Sequence, residues 1–311
     1  VNQGLLSLRG IRKLAALRKP LIWNMHDMWN LTGICHHAYE CKAYTGQCGH
    51  CQFMSGSSAA DLSHAVWLKK YKLYNSIPIT FVPVSNWLAK KCRSSSLLHD
   101  KDIRVIPNAF PVASFTTEPK SGVLPTTVKT DRKLILIGAA RLDDPIKGLE
   151  YTIEALNYLF DNNPQLTREC QAVFFGNLKN PHALDDLRFP YTHLGRIDDP
   201  LTLRRLYASA KVVLSTSLYE TLPGTLIEGQ AAGCLPVTFG RGGQHDIVEH
   251  LVNGYIAEYR NPRSVAEGIE WALDKNPDRN ELHESVYRRF SSDSVVEKYL
   301  DLFNELLSHK K

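Results

Sequence analysis

Glu220 and Glu228 stand in the run Tyr219-Glu-Thr-Leu-Pro-Gly-Thr-Leu-Ile-Glu-Gly-Gln-Ala-Ala-Gly233, where an apolar stretch gives way to a Pro-Gly turn and a short helical pattern. A glycine at position 224 lets backbone approach a ligand, and a helix starting near Thr225 would point its free N–H groups at an anion. Two carboxylates then flank a phosphate-sized site. Carboxylates do not attract phosphate, so their partners are neutral hydroxyls, held by charge-assisted hydrogen bonds worth about 1.5–3 kcal/mol each. Sugar and ribose hydroxyls fit. Taken without context, the same spacing also suits a solvated helix face.

Context comes from a second segment. Lys133-Leu-Ile-Leu-Ile-Gly138 reads as a buried strand, and Ala139-Ala-Arg-Leu-Asp-Asp-Pro-Ile-Lys-Gly148 leaves it as a loop before a helical pattern from Leu149. Arg141 and Lys147 therefore sit beyond a strand's carboxyl end, the edge at which open parallel sheets bind ligands, and a guanidinium with an ammonium suits a diphosphate. A surface pair of Arg141 with Asp143 or Asp144 is the plainer alternative. Ala172-Val-Phe-Phe-Gly176, Lys211-Val-Val-Leu-Ser-Thr216 and Cys234-Leu-Pro-Val-Thr238 read as further strands separated by helix-length stretches. That alternation predicts an α/β fold with a parallel sheet covered by helices on both faces.

These motifs together resemble the retaining GT-B glycosyltransferases of family 4, the type that builds bacterial exopolysaccharide, capsule and colanic-acid-like polymers. The resemblance rests on Glu220 and Glu228 as the E-x7-E pair, on Arg141-Leu with Lys147-Gly148, on Gly242-Gly243-Gln-His-Asp-Ile-Val-Glu-His and on Val252-Asn253-Gly254, and runs from Leu134 to about Leu273. Ala140 replaces the family's usual glycine, and the Arg-to-Lys gap is one residue longer, with Pro145 inside it. The resemblance implies two Rossmann-like domains facing a cleft and a UDP- or GDP-sugar donor. Glu220 would face the donor sugar, Glu228 the ribose, and Arg141 and Lys147 the leaving diphosphate. Gly176, Thr221, Leu222, Gly224 and Thr225 would complete donor binding, and no catalytic metal is expected.

The chain has 311 residues, 43% of them hydrophobic, enough to bury a large core and to divide into two domains. Its net charge of +5 suits anionic nucleotide sugars near an anionic membrane, while the dispersed Lys and Arg point away from nucleic acid. No apolar run spans a bilayer and no signal-peptide pattern opens the chain, which predicts a cytoplasmic protein with peripheral contact at the inner membrane face. The opening Val1-to-Leu14 segment reads as an amphipathic helix entering mid-fold, so the first domain is expected to be incomplete. Ala113 to Arg132, poor in apolar residues, is the linker candidate. The expected organisation is a partial amino-terminal domain over 1–120, a donor domain over 121–289 and a helix over 290–311 that returns to the first domain. Before the linker, Ile77 to Ser85 reads as a strand, Asn86 to about Ser94 as a helix, and Ile103 to Asn108 as a strand.

In the first domain, Pro20-Leu-Ile-Trp-Asn-Met-His26-Asp27 is a strand ending in His-Asp. An imidazole at that edge can donate to a sugar hydroxyl or phosphate, with Asp27 orienting the ring; family members carry a histidine there that faces the donor sugar. Cys35, Cys41, Cys48 and Cys51 follow closely, with His36, His37 and His50 among them. Four thiolates could close a structural zinc site; reduced buried thiols and disulfides are the other readings.

The sequence thus predicts a glycosyltransferase that moves a sugar from a nucleotide donor to a glycan or lipid-linked acceptor by front-face displacement. A nucleotide-sugar epimerase, a glycan phosphorylase and a non-catalytic sugar-nucleotide-binding fragment are its rivals.

Overall fold

A computed structural model describes residues 6–118 and 124–308. Residues 1–5, which open the expected first helix, and 119–123, within the expected linker, lie outside the described residues. The chain divides into two compact units, one comprising Val1–Pro107 with Glu297–Lys311, the other Asn108–Val296.

In the first unit, α1 (Leu8–Leu14) precedes β1 (Leu21–Met25), α2 (Leu62–Tyr74), β2 (Ile79–Pro83), α3 (Asn86–Ser94) and β3 (Asp102–Ile103). The strands form a parallel sheet in the order β1-β2-β3. β2 is buried along its whole length, as expected for a central parallel strand covered on both faces. Ser85 caps α3 by accepting from the Leu88 N–H at 3.2 Å, and this helix matches the sequence expectation. The strand expected over Ile103–Asn108 shortens to Asp102–Ile103. Arg104 and Ile106 still donate to the Phe81 and Pro83 carbonyls at 3.0 and 3.3 Å, so the chain keeps to the sheet edge as it approaches Pro107, which has no N–H to give.

The second unit contains β4 (Lys133–Arg141), α4 (Leu149–Asn162), α5 (Pro164–Glu169), β5 (Cys170–Asn177), β6 (Tyr191–His193), α6 (Pro200–Ser209), β7 (Ala210–Ser215), α7 (Gly224–Ala231), β8 (Leu235–Phe239), β9 (Tyr255–Ala257), α8 (Pro262–Asp274) and α9 (Arg279–Phe290). Helix α10 (Ser292–Ser308) begins here and its later residues belong to the first unit. All six strands run parallel in the order β6-β5-β4-β7-β8-β9. Counted from β4, that is the doubly wound order 3-2-1-4-5-6. The core joins β4, β5, β7 and β8 to α4 and α8 through fully buried Ile135, Phe174, Val212, Val237, Leu156 and Ile269, each stabilising by about 1.5–3 kcal/mol on burial.

Both units are therefore Rossmann-like α/β layers with parallel sheets, the fold class of GT-B proteins.

Candidate functional site

The first strand of the second sheet, β4, has β5 on one side and β7 on the other, so the side on which the chain adds strands switches between β4 and β7. Crossovers leave that junction toward opposite faces, and the strand ends there open a crevice. The loops after β4 and β7 meet at this point. Leu218 N–H donates to the Ile146 carbonyl at 2.8 Å, and the buried Thr216 hydroxyl bonds to Gly148 O at 2.8 Å and Lys147 O at 3.2 Å. Gly148 makes the approach possible. Its φ is +61°, and a Cβ there would stand 2.4 Å from the Thr216 carbonyl oxygen.

Lys147 and Glu220 are drawn together by this clasp, with Nζ and Oε1 2.6 Å apart and both side chains partly open to solvent. The Arg141 guanidinium pairs with Asp144 at 2.7 Å and lies 3.7 Å from Asp143. The pairing that sequence offered as the plainer reading of Arg141 is thus present. Asp143 is itself engaged by the Lys179 and Asn180 N–H groups, and these bonds hold its carboxyl below the usual carboxylate range. Asp144 is the looser partner, half exposed and exchangeable for another anion.

Helix α7 starts at Gly224, with Thr225 in its first turn, directly after the Glu220 loop. Pro223 stands at its N-cap and no side chain caps it, which leaves that end suited to an anion. Thr221 and Leu222 form the approach to the helix, Leu222 with its side chain buried. The loop is braced from beneath where Gly243 N–H donates to the Glu220 carbonyl at 2.9 Å. Glu228 lies one turn into α7 and accepts from the Tyr207 hydroxyl at 3.0 Å. Burial pushes the Glu228 carboxyl up and the tyrosine bond opposes that rise. Gly176 is the penultimate residue of β5 with φ +123°, where a Cβ would stand 1.8 Å from the Ala139 carbonyl oxygen, so its lack of a side chain lets the last residues of β4 pass close by.

The profile of the family described as glycosyl transferases group 1 matches residues 125–289, more than half of the chain and all of these loops. The chain belongs to that family. An uncharacterized glycosyltransferase of Methanocaldococcus jannaschii is 28% identical over 298 residues, covering 90% of this chain and 73% of the relative. The N-acetyl-alpha-D-glucosaminyl L-malate synthase of Bacillus anthracis is 27% identical over 163 residues, covering 51% of this chain and 40% of its own. Among solved structures, Anabaena HepE in complex with UDP superposes with a TM-score of 0.66 at 16% identity, covering 96% of this chain and 77% of its own, a likeness of fold.

In the first unit, this family member carries His26 exposed just beyond β1. Asp27 accepts from the Trp29 N–H at 2.7 Å and pairs with His36 Nδ1 at 2.8 Å. Cys35, Cys41, Cys48 and Cys51 converge on one small cavity of about 80 Å³, all as free thiols, so the disulfide reading does not describe them. The zinc reading draws no support from the arrangement of these side chains. Among the described residues, no group of three or more His, Cys, Asp or Glu is disposed to hold a metal ion. Burial and the neighbouring thiols raise the Cys35 pKa to about 11, and burial raises that of Cys48. The cluster is instead tied down by polar contacts, Gly33 N–H to Cys48 Sγ at 3.3 Å and Cys51 N–H to Asp61 at 2.8 Å.

Sequence reasoning missed Lys70. Its ammonium is fully buried, donates to the carbonyls of Trp29, Thr32 and Gly33, and lies 3.3 Å from the Trp29 ring centroid. It also missed Thr216 and Tyr207, whose hydroxyl partners lie on segments far away in sequence. Among the described residues, no helix is long and apolar enough to cross a membrane.

Proposed function

We propose that the chain acts as a retaining glycosyltransferase, moving a sugar from a nucleotide-sugar donor to a glycan or lipid-linked acceptor in cell-surface polysaccharide synthesis. The observation that carries this reading is the convergence of Arg141, Lys147, Glu220 and the side-chain-uncapped start of α7 at the sheet's switch point. The donor diphosphate would take Arg141 and Lys147 from their carboxylate partners and sit against the N–H groups at Gly224 and Thr225. Glu220, released from Lys147, would accept from sugar hydroxyls beside Thr221 and Leu222, while Glu228 would accept from the ribose.

As the glycosidic bond breaks, negative charge grows on the diphosphate, and two fixed cations stabilise it more than the ground state. The acceptor then attacks from the face the diphosphate leaves, which retains configuration. The UDP held by HepE supports a uridine donor. Peripheral membrane contact draws support from a groove of about 830 Å³ in the first unit, where apolar Leu8, Trp29 and Leu73 adjoin Arg12, Lys69 and Lys72. Such a groove suits a lipid-linked acceptor or an anionic headgroup layer.

Calorimetry with a panel of UDP- and GDP-sugars, followed by NMR of the product anomer, tests the reading. Saturable binding of one donor with retained configuration is expected. Inverted product would exclude the front-face course, and failure of every donor to bind would remove the donor-site assignment.

A further inference from the structure

Tyr207 has no place in the scheme above, yet it is among the largest side chains sealed completely inside the second unit. A buried phenol must find an acceptor, and this one donates to Glu228 Oε2 at 3.0 Å. Its ring cannot swing away. Phe115 and Phe175 hold it edge-on, with centroids 5.8 and 6.0 Å distant, and its own carbonyl accepts from Cys234 Sγ at 3.1 Å. Glu228 is thereby pinned through Oε2, the one hydrogen bond given for its carboxylate among the described residues. A half-buried carboxylate with one oxygen fixed is ready to accept from a ligand hydroxyl through the other.

We propose that Tyr207 is a positioning residue for nucleotide recognition, fixing Glu228 so that Oε1 meets the ribose diol in one geometry. The inference rests on the assignment of Glu228 to ribose. It adds a reason for the binding strength: the carboxylate's rotamer is set before the nucleotide arrives, so less ordering remains to be done on binding. Because the phenol donates, it also favours the charged carboxylate that a ribose hydroxyl needs as acceptor, against the burial that opposes charge.

The test compares UDP with 2′,3′-dideoxy-UDP by calorimetry in the full chain. Glu228→Gln should collapse the preference for UDP. Tyr207→Phe keeps the ring and its packing, and should lower that preference about three- to tenfold, the worth of one hydrogen bond, while leaving dideoxy-UDP affinity unchanged. In the double variant, Tyr207→Phe should add nothing to Glu228→Gln. A purely structural tyrosine would shift the melting curve and leave the preference intact. That outcome, with Glu228→Gln still collapsing it, overturns the proposal alone; an unchanged preference in Glu228→Gln overturns the ribose assignment and the proposal with it.

Discussion

Lys70 in the first unit and Lys147 in the second both sit where chain segments converge, and they differ in what satisfies them. Lys70 is sealed from solvent and spends its three N–H groups on three backbone carbonyls over an indole ring. Nothing remains for a ligand. Lys147 keeps about a third of its side chain exposed and holds one carboxylate, Glu220, which is itself able to serve a different partner. Burying a cation among fixed carbonyls is costly unless every donor is matched, so such a residue shapes architecture. A half-exposed ion pair costs little to open, so its members can be claimed by a substrate.

The largest effect expected from this contrast falls on turnover. Lys147→Ala should slow transfer by about 2–4 kcal/mol, roughly thirty- to a thousandfold, with little change in melting temperature. Unchanged turnover would count against the phosphate role. Lys70→Ala should do the reverse, leaving three carbonyls without a donor and costing about 2–4 kcal/mol in denaturant unfolding of the first unit. A loss below about 0.5 kcal/mol, the range of ordinary surface changes, would show that the buried ammonium does not order the loop.

Smaller effects sharpen the account. Thr216→Val removes the hydroxyl that clasps Lys147 and Gly148, and should cost about 1–2 kcal/mol in stability with a parallel loss of diphosphate affinity. Loss of stability without loss of affinity would separate the clasp from the site. Asp144→Asn frees Arg141 while keeping a side-chain oxygen for the Ile146 N–H, and should tighten UDP binding by no more than about 1 kcal/mol, as a surface pair allows. Weaker binding would mean that Asp144 orients Arg141 for the ligand.

Local pattern carried much of this arrangement. Apolar runs marked strands β4, β5, β7 and β8, and the Pro-Gly break marked the start of α7 because backbone conformation follows from nearby residues. Placement of Arg141, Lys147 and Glu220 at one sheet edge followed from strand direction. Pairing did not. Lys147 meets Glu220 across 73 positions of chain, and Tyr207 meets Glu228 from the buried side of α6, where an aromatic reads as core filler until its hydroxyl partner is seen. The cysteine spacing suggested that the four thiols gather, and they do line one cavity, but the loop that brings them there is set by Asp61, Ser63 and Lys70. Those contacts join residues that no periodicity relates.

The central claim is that Glu220 and Glu228 serve different parts of one donor. Calorimetry of UDP and of the matching UDP-sugar on Glu220→Ala and Glu228→Ala tests it most directly. Glu228→Ala should weaken both ligands about equally, by roughly 1.5–3 kcal/mol, because each carries the ribose. Glu220→Ala should spare UDP and weaken the UDP-sugar, with turnover falling further than affinity as the sugar contact tightens in the transition state. Equal losses of UDP affinity in the two variants would contradict the account.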